Sequence, residues 1–305
     1  MLLYTFFVFI ICSTINSNAQ SSHKYLTILP HEKGYEQQTY LEHDMVNANI
    51  PDSFDTRLNW PNCVNIVGHV RDQSNCGSCW AFGSTEAFND RYCIKTGDNV
   101  TLFSTTQTLA CCSGVRCGMS QGCNGGQPGS AWKWFTTDGV VSGGDYGDNL
   151  TCESYPFPQC AHHVEPPAGM VACPTLPEYS TPECSSSCYS NTVSNKRFKA
   201  SSSYALKKLD DIYQDIIKYG TVTATLSVYE DFESYTGGVY KHTSGKYLGG
   251  HAIKLIGWGV DSTTKELYWL CVNSWNDSWG EKGTFRILRG SNECGIEAGI
   301  VAGQV

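Results

Sequence analysis

The stretch Asp72-Gln73-Ser74-Asn75-Cys76-Gly77-Ser78-Cys79-Trp80-Ala81-Phe82 indicates how the rest of the chain is organised. A loop rich in Gly, Ser and Asn runs into Cys79, and the apolar residues behind it recur at a spacing that a helix can bury. The pattern predicts that Cys79 begins a buried helix that ends between Arg91 and Thr96, with Gly97 as its stop signal. Because backbone N–H groups are unpaired at a helix N-terminus, a thiolate is favoured there over a thiol.

Cys79 has three interpretations at this point. In the first it is a nucleophile, and Gln73 turns a side-chain N–H toward the group under attack, as an oxyanion donor. In the second it is one more half-cystine of a Cys-rich chain. A zinc site at Cys76 and Cys79 is the third, and the lack of a matching Cys/His pair disfavours it. The choice depends on whether the chain also supplies a base.

Composition limits the partners of the chain. Its 305 residues are 41% hydrophobic and 16% charged, which allows a large core in one or two domains. The net charge is −8 and no basic run is present, so nucleic acid and anionic membrane are not expected as partners.

The N-terminus predicts export. Residues 1–12 form an apolar run too short to span a bilayer, and Ser17-Asn18-Ala19 offers a cleavage site, although no Lys or Arg precedes the run. We therefore predict a signal peptide over residues 1–19, a short pro-segment over 20–49 and a folded domain over 50–305. No later segment approaches membrane length, so a secreted or endomembrane protein is expected, in a compartment that permits disulfides.

Cysteine usage fits that compartment. The chain has 16 cysteines, and loss of Cys12 with the signal peptide leaves an odd number. At least one thiol is therefore unpaired, but the count does not say which.

The two halves of the chain differ in pattern. One short helix is expected at residues 131–135 and an amphipathic helix at 203–219, whereas residues 140–203 lack periodicity and hold five cysteines. Strands separated by Gly-rich turns are predicted at residues 221–229, 251–258, 267–273 and 284–288. The fold class is therefore α+β, with a helical, Cys-rich N-terminal half and a β-rich C-terminal half.

His251 and Asn273 are the candidate partners of Cys79. His251 opens an apolar strand after Gly249-Gly250, which leave the backbone accessible; a lone His at a strand end is more often structural. Asn273 follows the next strand and is flanked by tryptophans. An Asn so placed can orient an imidazole while the indoles keep water from their hydrogen bond.

Four ordered motifs carry a family resemblance. They are Gln73…Cys76-Gly77-Ser78-Cys79-Trp80, Gly122-Cys123-Asn124-Gly125-Gly126, Gly249-Gly250-His251-Ala252 and Asn273-Ser274-Trp275-Asn276…Trp279-Gly280. The chain resembles the papain-like cysteine peptidases from about Ile50 onward. That resemblance implies a two-lobed fold with a helical N-terminal lobe, a β-barrel-like C-terminal lobe and an active site in the cleft between them. The separation of Cys79 from His251 exceeds the roughly 130–150 residues usual there, and the Cys-rich insertion accounts for the excess.

The insertion narrows the resemblance to cathepsin B-like enzymes. Cys160-Ala161-His162-His163…Cys173 resembles their occluding loop, about residues 160–173, whose His pair makes those enzymes carboxydipeptidases. By position, His163 would receive the C-terminal carboxylate of a substrate, and His162 would pair with Asp72. The alternative, without a functional role, is that both are solvated surface histidines.

The resemblance also implies the site. Cys79 would be the nucleophile, His251 its acid and base, Asn273 the group that orients the ring, and Gln73 an oxyanion donor. Substrate would contact residues on both sides of the cleft: Gly125, Gly126, Pro128, Gly250, Ala252, Trp275 and Gly299, with the His pair. Neither metal nor cofactor is implied. Expected partners are peptide and protein substrates and cystatin-type inhibitors, for a monomer in the lysosome or outside the cell, such as a gut lumen.

The chain departs from the family pattern in three places. An Arg–Asp latch of the loop is missing at both ends, since the loop has Pro166-Pro167-Ala168 and the downstream site is Ser278, so a larger endopeptidase share is expected. Gly299 replaces an acidic residue, and Thr225 a small apolar one, which predicts an apolar P2 preference and poor Arg-Arg cleavage. The leader is short for an inhibitory propeptide, which puts autoinhibition in doubt.

The resemblance further implies six disulfides and leaves Cys79, Cys271 and Cys294 unassigned. The pairs are Cys63–Cys93, Cys76–Cys123, Cys111–Cys184, Cys112–Cys117, Cys152–Cys188 and Cys160–Cys173. Glycosylation sequons begin at Asn99, Asn149 and Asn276, and the third, inside the active-site motif, is expected to be unmodified.

Two rival functions stay open. One is an inactive decoy or storage relative, which the intact Cys79, His251, Asn273 and Gln73 disfavour. The other is a Cys-His-Asn acyltransferase, which would reveal itself by ligation products at high amine concentration.

Overall fold

A computed structural model describes residue 28 and residues 39–43, 50–190 and 192–305. The predicted signal peptide and most of the predicted pro-segment lie outside the described residues. The helices are α1 Thr56–Asn59, α2 Val64–Val67, α3 Cys79–Thr96, α4 Thr105–Cys111, α5 Pro128–Thr137, α6 Leu209–Tyr219 and α7 Glu230–Glu233. Short 3-10 turns lie at Pro61–Cys63, Val115–Cys117, Cys173–Thr175 and Glu293–Gly295.

Within the described part of the chain, eight strands form one sheet. They are β1 Phe54–Asp55, β2 Tyr204–Leu206, β3 Val222–Tyr229, β4 Val239–Tyr240, β5 Tyr247–Val260, β6 Leu267–Val272, β7 Thr284–Leu288 and β8 Ile300–Ala302. Their spatial order is β2-β8-β3-β5-β6-β7-β4, with β1 on the far end of β5. Neighbours are antiparallel except β4 and β7. Among the described strands only the pairs β5–β6 and β6–β7 are consecutive in the chain, so the β-rich C-terminal lobe depends mainly on pairing between distant segments.

Helix α3 is the central element of the helical half. It begins at Cys79, and Gly97 ends it in the left-handed conformation, with φ 81° and its N–H donating to the Cys93 carbonyl. Both predicted boundaries are confirmed. The helix is buried along most of its length because α4 and α5 cover one side of it and strand β5 the other.

Two apolar cores define two lobes. One contains Trp269 of strand β6 together with Trp275 and Trp279, which lie between β6 and β7. The other packs α3, α4 and α5 around residues such as Trp80 and Phe88. The architecture is therefore the two-lobed α+β fold expected from the sequence.

The helix predicted at residues 203–219 is wrong in its first part. Tyr204–Leu206 is strand β2, paired with β8, and α6 begins only at Leu209. The pairing partner lies at the far end of the chain, and the Tyr204 hydroxyl is fixed by the buried Arg91 and Asp215. Neither contact can be read from the local sequence pattern. The amphipathic face of α6 itself is as expected.

All six disulfides implied by the resemblance are present. Cys79, Cys271 and Cys294 are reduced, and Cys79 is fully buried. Since Cys76 is bonded to Cys123, only one sulfur of the Cys76/Cys79 pair is a thiol. The described residues between 140 and 203 are largely irregular, and three of the six disulfides stabilise them.

Candidate active site

Cys79 lies where the two lobes meet. Its helix follows Ser78, whose carbonyl accepts from the N–H groups of Ala81 and Phe82. One turn further on, Gly83 lies so close to strand β5 that an added Cβ would be 3.1 Å from the Ile253 carbonyl oxygen. The first turn of α3 therefore packs closely against the segment of strand β5 that carries His251.

His251 is oriented by Asn273. The Nε2 atom of His251 lies 2.7 Å from Asn273 Oδ1, and the Ser274 N–H donates to the same oxygen. Because that oxygen only accepts, the proton of this hydrogen bond belongs to Nε2. The other ring nitrogen, Nδ1, is buried and makes no hydrogen bond to any residue in the described part of the chain.

The environment of His251 combines burial beside an apolar ring, that of Trp275, with a nearby basic side chain, that of His162. Burial lowers the pKa of His251 to about 4; the Asn273 hydrogen bond acts in the opposite direction, and His162 lowers it further. The Trp275 ring lies 5.0 Å from the imidazole and is itself fully buried. The ring is therefore neutral unless an anion lies beside it.

Gln73 is held at both ends of its side-chain amide. Ser274 Oγ donates to Gln73 Oε1 at 2.7 Å, and Gln73 Nε2 donates to the Cys76 carbonyl at 2.9 Å. The Gln73 backbone N–H donates to the Ser274 carbonyl. These bonds fix the amide between the loop that leads to Cys79 and the segment that follows β6.

The predicted partner of His162 is confirmed. His162 Nε2 lies 2.8 Å from Asp72 Oδ1, and both side chains are buried. Asp72 also accepts from the backbone N–H groups of Ser74 and Cys160. Burial alone would raise the pKa of Asp72, but the charge and hydrogen bond of His162, with bonds from Asn276 and Ser74, hold it below its ordinary value.

Sequence reasoning missed Asn276 as an anchor of this loop. Its Nδ2 donates to Asp72 Oδ2 at 2.7 Å and to the Cys160 carbonyl at 2.6 Å, and the residue is 2% exposed. The only signal was its place in the Asn-Ser-Trp-Asn motif. This burial agrees with the expectation that the third sequon is unmodified.

His163 has a contact that the sequence did not suggest. Its Nδ1 lies 3.6 Å from Glu233 Oε2 at the end of α7, and its ring is 5.0 Å from Trp275. Trp275 thus packs beside three imidazoles, those of His162, His163 and His251. The structure brings both loop histidines to the end of the site marked by Trp275.

The other end of the site is lined by close-packed glycines. An added Cβ at Gly126 would be 2.4 Å from the Trp80 ring, and Gly125 has φ 112°. Ile28 from the leader bridges Gly126 on one side, and its N–H donates to the Gly250 carbonyl on the other, at 3.2 Å. The backbone of Ile28 therefore lies between these two glycines.

Pro128, Ala252 and Gly299 are placed by three separate elements. Pro128 opens α5, and Ala252 pairs with Thr225 across β5 and β3. Gly299 precedes β8, and its carbonyl accepts from the Thr225 N–H. A Cβ at Gly299 would be 1.8 Å from Thr225 Oγ1, so the present Thr225 rotamer leaves no room for a larger side chain there.

One cluster of metal-ligating atoms occurs among the described residues, formed by Cys160, His162 and Cys173. The two sulfurs are bonded to each other and offer no thiolate. The cluster is therefore a disulfide beside a histidine. Among the helices of the described residues, none has the length and apolar character that crossing a membrane requires.

The class follows from comparison with known proteins. A family model described as papain family cysteine protease matches residues 50–304. The chain belongs to the papain family of cysteine proteases, as a cathepsin B-like cysteine peptidase.

The similar proteins agree with that assignment. Cathepsin B-like cysteine proteinase 6 of Caenorhabditis elegans is 47% identical, over 85% of this chain and 67% of that protein. A cathepsin B-like cysteine proteinase of Schistosoma japonicum is 43% identical, over 87% and 76%. The solved structure of procathepsin B S9 from Trypanosoma congolense is similar with a TM-score of 0.78 and 31% identity, over 92% of this chain and 87% of that one.

Proposed function

We propose that Cys79, His251 and Asn273 hydrolyse peptide bonds by acyl transfer through Cys79. The observation that carries the proposal is the 2.7 Å bond between His251 Nε2 and Asn273 Oδ1, on a strand that α3 contacts one turn after a buried, reduced Cys79. The Cys79 thiolate attacks the scissile carbonyl, and the protonated His251 gives its proton to the leaving amine. His251 then takes a proton from water, which hydrolyses the thioester and releases the acid.

Burial of His251 bears on the protonation of this pair. Because burial lowers the pKa of His251 to about 4, the imidazolium needs an anion beside it. A Cys79 thiolate supplies that anion, and the helix N-terminus stabilises the thiolate in turn. The resting state we propose is therefore the thiolate–imidazolium pair, with each charge dependent on the other.

The oxyanion donors are the Cys79 backbone N–H and the Gln73 side-chain amide. Ser274 and the Cys76 carbonyl hold that amide in position before substrate arrives. Loss of one such donor typically costs about 3–4 kcal/mol of barrier height. Gln73→Ala should therefore lower kcat more than it raises KM.

At the primed end we propose that His163 receives the C-terminal carboxylate of a substrate, so that the enzyme releases dipeptides in addition to cutting internally. His162, bound to Asp72, holds the loop that carries His163. The loop lacks the family's Arg–Asp latch, which gives endopeptidase activity a larger share.

At the other end we propose an apolar P2 preference. Gly299 brings no acidic side chain to the P2 pocket, and Thr225 fills the space that such a side chain would need. Ala252 forms part of the same wall. Phe-Arg substrates should therefore be cleaved better than Arg-Arg substrates.

The backbone of Ile28 lies where we propose that substrate backbone pairs, between Gly126 and Gly250. We propose that the leader is a pro-segment in which the Ile28 backbone blocks the substrate position, and that it is inhibitory in spite of its short length. A zymogen of this kind fits a secreted or lysosomal monomer that meets cystatin-type inhibitors only after the leader has been removed.

The test is labelling of the activated protein by a thiol-directed epoxide peptide. We expect stoichiometric label on Cys79, no label and no peptidase activity in Cys79→Ala, and full label in Cys294→Ala as the matched control. Label on Cys294 or Cys271, with hydrolysis retained in Cys79→Ala, would refute the assignment of the nucleophile.

A further inference from the structure

The primed end of the site holds an acidic residue beside His163. Glu233 is the last residue of α7, and its backbone carbonyl accepts from Trp279 Nε1 at 3.0 Å. The preceding residue, Phe232, is fully buried, with its ring 5.8 Å from that of Trp275. The aromatic core of the β lobe therefore fixes the position of the Glu233 backbone.

The Glu233 side chain crosses from the β lobe to the loop. Its Oε2 lies 3.6 Å from His163 Nδ1, within ion-pair distance but beyond a normal hydrogen bond. Both side chains are partly exposed, 24% for Glu233 and 19% for His163, so solvent can reach both of them. His163 itself is held in the left-handed conformation, with φ 55°.

We propose that Glu233 is a specificity-determining residue that opposes binding of a substrate's C-terminal carboxylate at His163. Two carboxylates cannot share one imidazole without repulsion, and the Glu233 carboxylate is already beside it. The enzyme therefore discriminates against peptides that end in a free carboxylate in this position and favours peptides that continue past it or end in a neutral amide. This inference rests on the proposed role of His163.

The neighbouring charges determine when Glu233 is anionic. Burial and the nearby Glu230 raise the pKa of Glu233 to about 7. On α7, Asp231 is engaged with Tyr240 and His242. On the loop and the strands, His162 is bound to Asp72 and His251 to Asn273. Discrimination should therefore be strong at pH 7.5 and weak at pH 5, where Glu233 is protonated.

A purely structural role for Glu233 predicts the opposite result. If the pair mainly replaced the missing latch, neutralising Glu233 would loosen the loop, lower dipeptide release and raise internal cleavage. The geometry favours the charge effect. The Glu233–His163 pair is partly exposed and 3.6 Å long, so it contributes little to the position of the loop. The buried Asp72–His162 pair, at 2.8 Å, holds the same loop in place.

The experiment compares Glu233→Gln with wild type on one peptide made with a free and with an amidated C-terminus. At pH 7.5 we expect kcat/KM for the free acid to rise about fivefold in the variant, the size of effect that one screened charge produces. We expect a change of less than about twofold for the amide, and for both peptides at pH 5. Glu165→Gln, which removes an exposed charge from the same loop, should match wild type.

A His163→Ala background separates this inference from the proposed function. If His163→Ala lowers dipeptide release but Glu233→Gln does not raise it, or lowers it, Glu233 lacks the role inferred here while His163 keeps its own. If His163→Ala leaves dipeptide release unchanged, the proposed role of His163 fails, and this inference fails with it. Active-site titration normalises each variant, so that misfolded protein does not enter the comparison.

Discussion

The two histidines of the loop are adjacent in sequence and occupy opposite environments. His162 is buried against Asp72, which also accepts hydrogen bonds from Ser74, Cys160 and Asn276. His163 is partly exposed; its Nδ1 lies 3.6 Å from Glu233 Oε2, and its ring is 5.0 Å from that of Trp275. In the function proposed here, the imidazole of His162 is part of the scaffold, whereas that of His163 recognises the charge of a substrate.

Asp72→Asn is expected to have the largest effect on this comparison. The variant keeps the shape of Asp72 but leaves the buried His162 without its counter-charge, and breaking a buried pair costs about 3 kcal/mol or more. Dipeptide release should fall about 100-fold as the loop detaches. Internal cleavage should persist, because Gln73, Cys79 and His251 are untouched.

The measurement is hydrolysis of a free-acid and an internally quenched peptide by the same preparation, with urea unfolding in a Cys79→Ala background to avoid autolysis. Asp145→Asn is a matched control, since Asp145 also pairs with a histidine, His69, and with Arg71, but with neither histidine of the loop. Equal losses on both peptides would mean that Asp72 supports the whole site rather than the loop.

Asn276→Gly should have the next largest effect. It removes the two short hydrogen bonds that Nδ2 donates to Asp72 and to the Cys160 carbonyl, each contributing about 1 kcal/mol. It also removes the side-chain oxygen that accepts from the Ser278 N–H. Glycine tolerates the left-handed conformation that Asn276 adopts at φ 51°, so backbone strain does not enter. We expect about a tenfold loss of dipeptide release, with most internal cleavage retained.

Comparison of Asn276→Ala with Asn276→Gly isolates the effect of backbone strain at this position. Its Cβ is disfavoured at this φ, so unfolding measurements should find it less stable than Asn276→Gly by about 1 kcal/mol. Retention of full dipeptide release in both variants would show that Asp72 and the disulfide hold the loop without Asn276.

The smallest expected effect is on the pH dependence of stability. A carboxyl whose pKa is raised by folding destabilises the fold as pH rises from its unfolded pKa toward its folded one, which for Glu233 runs from about 4.5 to about 7. Glu233→Gln should therefore gain about 2 °C in Tm relative to wild type between those pH values. Asp72 has the opposite sign, since its lowered pKa gives stability that is lost only below its ordinary range.

Thermal melting of both proteins from pH 4 to pH 8 checks this directly. A Tm difference that stays constant over the range would show that Glu233 titrates as an ordinary surface carboxylate.

The sequence predicted the features of the fold that depend on local chemistry. The start of α3 at Cys79 and its end at Gly97 were expected from the local pattern of residues. The pairing of His162 with Asp72 was implied by the family resemblance. The six disulfides were expected from the resemblance, which carries three-dimensional information that the residues alone do not.

What the sequence did not predict depends on contacts between distant segments. Strand β2 exists because β8 pairs with it, so Tyr204–Leu206 was mistaken for the start of a helix. Glu233 belongs to a four-residue helix in the other lobe, and no periodic pattern relates it to His163. Asn276 stood in a recognised motif, but its partners became visible only once the loop was placed.

The most direct test of the account is one ratio, kcat/KM for a free-acid peptide divided by kcat/KM for its amide at pH 7.5, in Asp72→Asn and Glu233→Gln side by side. The account predicts that this ratio falls in Asp72→Asn, where the loop loses its anchor, and rises in Glu233→Gln, where His163 loses a competing carboxylate. Movement of the ratio in the same direction in both variants would contradict the division between a structural and a recognising histidine.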